Sequence, residues 1–76
     1  MGAETVTYAD ARTIAINYYV GRRSRMPLPL REAPFKKVEN VVLSINAVIA
    51  AMESNTDIGQ WLVYEYADSM GMLISA

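Results

Sequence analysis

The stretch from Val38 to Met52 constrains the fold of this chain more than any other. Its apolar residues recur three and four positions apart, at Val38, Val41, Val42, Ile45, Val48, Ile49 and Met52. This spacing is that of one face of an α-helix, whereas a half-buried strand would alternate apolar and polar residues. We therefore predict a central helix over about residues 34–54, with Pro34 at its first position, where a missing N–H does no harm.

A first helix is predicted over about residues 7–20. Thr7 followed by Asp10 has the spacing of a capping box, in which a hydroxyl and a carboxylate bind the first free backbone N–H groups. Gly21 is the expected stop, since glycine readily takes the left-handed conformation that ends helices. Residues 1–6 carry no helical signal and are expected to form a short extended or flexible lead.

A third helix is predicted over about residues 57–74, with Asp57 as its cap. Gly59 and Gly71 lower its helix propensity but would let another backbone come close. This helix is apolar on most sides, and two other helices from one short chain would cover it poorly. We therefore expect a homo-oligomer. The residues assigned to its interface are Trp61, Tyr66, Met70, Leu73 and Ile74.

Length and composition limit both the fold class of this chain and the kinds of chemistry that it can perform. Seventy-six residues make one domain, predicted to be an all-α unit of three helices over residues 1–76. The chain has no cysteine and no histidine, which excludes disulfides, thiolate metal sites and the usual general base near neutral pH. Glu65 and Asp68 lie three apart, but we interpret them as a solvated helix face. No nucleophile–base pair or phosphate-loop motif occurs, so we predict a non-enzymatic protein without catalytic residue, metal or cofactor.

The expected location is the cytoplasm. The longest mostly apolar run, residues 41–52, is shorter than the ~20 residues that span a bilayer, and it contains Ser44 and Asn46. The sequence also starts without the basic and apolar regions of a signal peptide.

Charge is segregated along the chain. All seven basic residues lie between positions 12 and 37, where Glu32 is the one acid. From position 38 onward there are five acids and no base. Pro27 and Pro29 favour an extended, polyproline-like segment from Met26 to Leu30, so Arg22, Arg23 and Arg25 are expected on a loop between the first two helices.

This basic loop is the strongest functional candidate. Arginine binds phosphate oxygens in a bidentate manner, and tyrosine rings stack on bases. The candidate ligand-binding residues are Tyr18, Tyr19, Arg22, Arg23, Arg25 and Lys36. The alternative interpretation is a solvated basic turn whose tyrosines belong to the core.

Three functional hypotheses follow. The first is a homo-oligomer that sequesters or senses a phosphate-bearing small ligand, such as a nucleotide or a cyclic oligonucleotide. The second is a protein–protein inhibitor or adaptor that docks an acidic partner, with Leu28, Leu30 and Trp61 as apolar anchors. In size and composition the chain resembles small accessory proteins of phages and mobile elements. The third is a nucleic-acid-binding accessory factor, which the acidic C-terminal half disfavours.

Overall fold

Three helices that contact one another form the framework of the molecule. In the computed structural model, which describes residues 4–75, α1 spans Tyr8–Ser24, α2 spans Ile45–Glu53 and α3 spans Asp57–Ser69. A 3₁₀ helix covers Leu28–Glu32. The strands are β1 (Glu4–Val6), β2 (Lys36–Val38), β3 (Val41–Leu43) and β4 (Met72–Ile74). The domain is therefore mainly helical, but the two small sheets correct the prediction of a purely all-α fold.

The core lies where the three helices meet. Its buried residues are Ala11, Ala15 and Tyr19 of α1, Ile45, Val48, Ile49 and Met52 of α2, and Leu62, Val63, Tyr66 and Ala67 of α3, joined by Val38 of β2. The predicted apolar face is thus confirmed from Ile45 to Met52. It is wrong further upstream, where Val41 and Val42 are exposed on a strand.

The N-terminal cap of α1 is confirmed, but its predicted end is wrong. The Thr7 Oγ accepts a hydrogen bond from the Asp10 backbone N–H at 3.1 Å. The helix continues through Gly21 to Ser24, whose hydroxyl donates to the Gly21 carbonyl at 2.7 Å. Arg22 and Arg23 lie in the last turn, at the negative end of the helix dipole, and their positive charges favour the extra turn. The basic run is therefore mostly helical and not a loop.

A β-hairpin replaces the first half of the predicted central helix. Strands β2 and β3 pair antiparallel, with Val38 opposite Val41, around a two-residue turn in which Glu39 has a φ of 53°. Helix α2 begins only after Ser44, whose Oγ accepts from the Ala47 N–H at 3.1 Å. Valine is β-branched and favours strands, and the cap at Ser44 separates strand from helix. Pro34 precedes β2 and is not the first residue of a helix.

The segment predicted to be polyproline-like is only partly extended. Pro27 has extended backbone angles, with ψ at 144°, and its carbonyl accepts from the Leu30 N–H at 2.9 Å. That bond opens the 3₁₀ helix, because the fixed φ of proline suits a 3₁₀ turn as well as a polyproline helix.

Helix α3 begins at Asp57, as predicted, but it ends at Ser69 and not near residue 74, and its capping residue differs from the prediction. Thr56, and not Asp57, is its N-cap and accepts from the Gly59 N–H at 3.1 Å. Gly71, with a φ of 73°, follows the helix in the left-handed conformation and directs the chain into β4.

Strand β4 pairs in parallel with β1, so that Val6 lies beside Ile74. Residues 4–6, predicted to belong to a short extended or flexible lead, thus form a strand, whereas residues 1–3 of that lead lie outside the described residues. None of the helices in the described part of the chain is long and apolar enough to cross a membrane.

Candidate functional site

A cavity of about 320 Å³ opens between the C-terminal half of α1, the start of β2 and the end of α3. Its lining residues are Tyr18, Tyr19, Arg22, Phe35, Lys36, Tyr66, Ser69 and Met70. We call this cavity the aromatic pocket. Its volume is near the lower end of the range of about 300–1,000 Å³ for small-molecule sites.

Four rings form the wall of the aromatic pocket. Tyr18 lies with its ring centroid 5.1 Å from that of Tyr19 and 5.1 Å from that of Tyr66. Phe35 lies edge-on to Tyr19 at 6.2 Å. Tyr19 and Tyr66 are buried, whereas Tyr18 is 42% exposed. The ring available for stacking a ligand is therefore that of Tyr18, held in place by its neighbours.

Arg22 and Lys36 bring positive charge to the pocket. The Arg22 guanidinium carbon lies 5.1 Å from the centre of the Phe35 ring, which is a cation–π arrangement. The Lys36 Nζ is 2.7 Å from the Glu65 Oε1, and both side chains are partly exposed. A ligand phosphate would have to compete with Glu65 for this ammonium group, so Arg22 is the cation more easily reached.

Burial changes the acid–base behaviour of one pocket residue. Desolvation raises the pKa of Tyr19 above 10.0, although the positive charge of Lys36 acts in the opposite direction. The Tyr19 hydroxyl therefore keeps its proton throughout the physiological pH range, and Tyr19 forms an uncharged part of the pocket wall.

The structure brings together four of the six residues predicted to bind ligand. Tyr18 and Tyr19 lie four and three positions before Arg22, so each shares a face of α1 with Arg22. Lys36 joins them from β2.

Arg23 and Arg25 do not line the pocket. The Arg23 Nη1 donates to the Asn46 Oδ1 at 3.2 Å, and the Asn46 amide in turn donates to the Glu32 carboxylate. This chain of contacts ties α1 to α2 and the 3₁₀ helix, so Arg23 has a structural role. Arg25 is the C-cap residue of α1: its backbone N–H donates to the Arg22 carbonyl at 3.1 Å, and its side chain is exposed.

The five residues assigned to an oligomer interface lie in different places. Tyr66 and Met70 line the aromatic pocket, Tyr66 being 8% exposed and Met70 59% exposed. Trp61 is 46% exposed near the hairpin. Leu73 and Ile74 belong to β4, where Leu73 is 59% exposed and Ile74 packs against the core.

Three residues of the site were not predicted from the sequence. Phe35 and Ser69 line the aromatic pocket, and Glu65 pairs with Lys36. Their positions depend on contacts between distant segments. One local signal was present, since Tyr66, Ser69 and Met70 have the spacing of a single helical face. Nothing in the sequence placed that face opposite α1.

Comparison with protein-family models, with curated proteins and with solved structures found no match for this chain. Within the described residues, no group of three or more acidic, histidine or cysteine side chains is arranged to hold a metal ion. The aromatic pocket combines the exposed ring of Tyr18 with two cations, Arg22 and Lys36.

Proposed function

We propose that this protein is a non-enzymatic, cytoplasmic and homo-oligomeric binding protein that holds a phosphate-bearing small ligand, such as a nucleotide or cyclic oligonucleotide. It would act by sequestration or sensing. The observation that carries the proposal is the aromatic pocket, which combines an exposed ring, Tyr18, with the two cations Arg22 and Lys36.

Each part of such a ligand has a counterpart in the pocket. The base stacks on Tyr18, which is worth about 1–3 kcal/mol per base. The phosphate accepts hydrogen bonds from Arg22, and a charge-assisted bond of this kind is worth roughly 1.5–3 kcal/mol. Lys36 exchanges Glu65 for the phosphate and adds a second positive charge.

The size of the pocket limits the ligand. A cavity of about 320 Å³ suits one nucleotide unit rather than a whole cyclic oligonucleotide. A larger ligand would extend beyond one pocket, and a symmetric oligomer would place a second pocket within its reach.

Calorimetric titration with a panel of mono-, di- and cyclic nucleotides, nucleosides and inorganic phosphate tests the proposal. We expect at least one nucleotide to bind and Arg22→Ala to weaken it about tenfold to a hundredfold. Lys37→Ala is the matched control, because it removes an exposed cation next to Lys36 that does not line the pocket. Tyr18→Ala should weaken nucleotides more than inorganic phosphate.

Two outcomes would contradict this function. One is silence across the whole panel with the fold intact, which would favour the protein–protein adaptor instead. The other is equal loss of binding for Arg22→Ala and Lys37→Ala, since that result would reflect general surface charge rather than the aromatic pocket.

A further inference from the structure

A second concave surface lies between the turn of the hairpin and the start of α3, and none of its lining residues lines the aromatic pocket; the inference drawn from it deepens the homo-oligomer of the proposed function. It has a volume of about 220 Å³. Its apolar walls are Val38, Val41, Ile58 and Trp61, and its acidic lining residues are Glu39 and Asp57. We call it the Trp61 groove.

The Trp61 groove is open and negatively charged. Trp61 is 46% exposed and Val41 is 42% exposed, so both leave apolar surface in contact with water. Glu39 and Asp57 are exposed, and the ion pair found among the described residues, Lys36–Glu65, involves neither of them. A tryptophan beside free carboxylates suits a partner that presents an apolar side chain next to a cation.

The chain itself carries a segment with that chemistry. Leu28 and Leu30 of the 3₁₀ helix are 73% and 51% exposed, and Leu28 is the most exposed of the large apolar residues described. Arg25 precedes them, and Arg31 follows them directly.

This segment is also rigid. Pro27 and Pro29 fix their backbone φ angles, and the Arg31 Nε donates to the Met26 carbonyl at 3.0 Å. A preorganised segment loses little conformational entropy when it docks, so more of the contact energy remains as affinity. We call residues 25–31 the Leu28 segment.

We propose that the Leu28 segment of one copy docks in the Trp61 groove of a second copy. Leu28 and Leu30 would cover Trp61, while the flanking arginines would face Glu39 and Asp57. Charge complementarity selects this occupant, because Arg25 and Arg31 flank the two leucines and Glu39 and Asp57 line the groove beside Trp61.

The proposed contact joins two different surfaces. Two copies that exchange segments about a two-fold axis use both surfaces of each copy and form a dimer, whereas a head-to-tail contact continues from copy to copy until a ring closes. The wild-type assembly should therefore contain at least two chains.

Complementary variants test this arrangement. Leu28→Asp disables the segment but keeps the groove, and Trp61→Ala disables the groove but keeps the segment. Each variant alone should sediment as a monomer of 8.4 kDa, whereas wild type should sediment as a larger species. An equimolar mixture of the two variants should form a capped 1:1 pair, because one intact segment then meets one intact groove.

Controls keep the result interpretable. Both altered side chains are exposed, so circular dichroism should show unchanged helix content. Ile14→Ala removes a similarly exposed apolar residue outside both surfaces and should leave assembly intact. Asp57→Lys should weaken association at least about tenfold, and added salt should weaken wild-type association.

Three results would overturn the inference. They are a monomeric wild type at high concentration, full assembly by either variant alone, and a folded mixture that stays monomeric. Nucleotide titration of the two variants separates this inference from the proposed function, since neither residue lines the aromatic pocket.

Discussion

At the scale of single residues, Gly59 determines how closely α2 and α3 approach. A Cβ at this position would lie 2.0 Å from the Ala51 carbonyl oxygen and 2.9 Å from the Met52 nitrogen. These are backbone atoms, so neither can move aside without displacing the helix. Gly21 differs, because a Cβ there would meet nothing within 4 Å and the residue lies inside α1.

Alanine at these two glycines should therefore act in opposite directions. Gly59→Ala should lower the free energy of unfolding by about 1–3 kcal/mol through overpacking. Gly21→Ala should raise it by about 0.5–1 kcal/mol, because alanine is the better helix former. Urea denaturation of both variants checks this pair, and a stabilising Gly59→Ala would show that the α2–α3 approach is misplaced.

Tyr19 gives the domain a pH dependence in the alkaline range. Burial raises the pKa of Tyr19 in the folded protein, so the unfolded chain loses that proton first as the pH rises. The stability from the neutral hydroxyl is complete below the unfolded pKa of about 10 and is lost as the pH rises through the folded pKa.

Tyr19→Phe should reduce this alkaline loss. Urea midpoints measured at about pH 9 and pH 11 should differ less for the variant than for wild type. Tyr8→Phe is a useful comparison, since burial raises the pKa of Tyr8 as well and its hydroxyl donates to the Asn55 Oδ1 at 2.6 Å. Identical pH dependence in wild type and Tyr19→Phe would contradict the assignment.

At the scale of elements, the β1–β4 sheet holds the first strand of the fold against the last. Two short strands make a marginal sheet unless packing supports them. Val6, Met72 and Ile74 provide that support by packing against the core. The ladder continues one residue beyond the sheet, where the Ser75 N–H donates to the Val6 carbonyl at 2.8 Å.

Proline at position 75 should release the end of this sheet. Ser75→Pro removes the N–H, whereas Ser75→Ala removes only the hydroxyl, whose bond to the same carbonyl is longer at 3.3 Å. We expect Ser75→Pro to cost about 1 kcal/mol and to increase amide exchange in β4 while the helices stay protected. Ser75→Ala should have little effect. Equal exchange in the two variants would show that the backbone bond contributes nothing.

At the scale of the whole molecule, one core couples all three helices. A domain of this size buries only about 60% of its unfolded surface, so its stability is small and depends on every buried side chain. Val48 is fully buried, whereas Glu53 of the same helix is exposed.

A charge in this core should unfold the entire domain. Val48→Asp introduces an unpaired buried carboxylate that costs several kcal/mol, against a total of about 5–15 kcal/mol. Glu53→Ala should change stability by less than about 0.5 kcal/mol. Circular dichroism at increasing temperature checks both, and a folded Val48→Asp domain would contradict the assignment of the core.

The sequence by itself determined what depends on neighbours along the chain. The helical face from Ile45 to Met52 and the cap at Thr7 both follow from helix geometry. Such features depend on residues within one or two helical turns of one another, so they can be predicted from the spacing of residues in the sequence.

Tertiary structure decided the rest. The valines at positions 38, 41 and 42 have the spacing of a helical face, yet the pairing of β2 with β3 and the burial of Val38 in the core place them in a hairpin. Strand β1 exists because β4, 68 positions further on, pairs with it at Glu4 and Met72. Phe35 and Ser69 reach the aromatic pocket by the same kind of non-local contact. Pairings of this kind depend on burial across the whole molecule, which local periodicity does not encode.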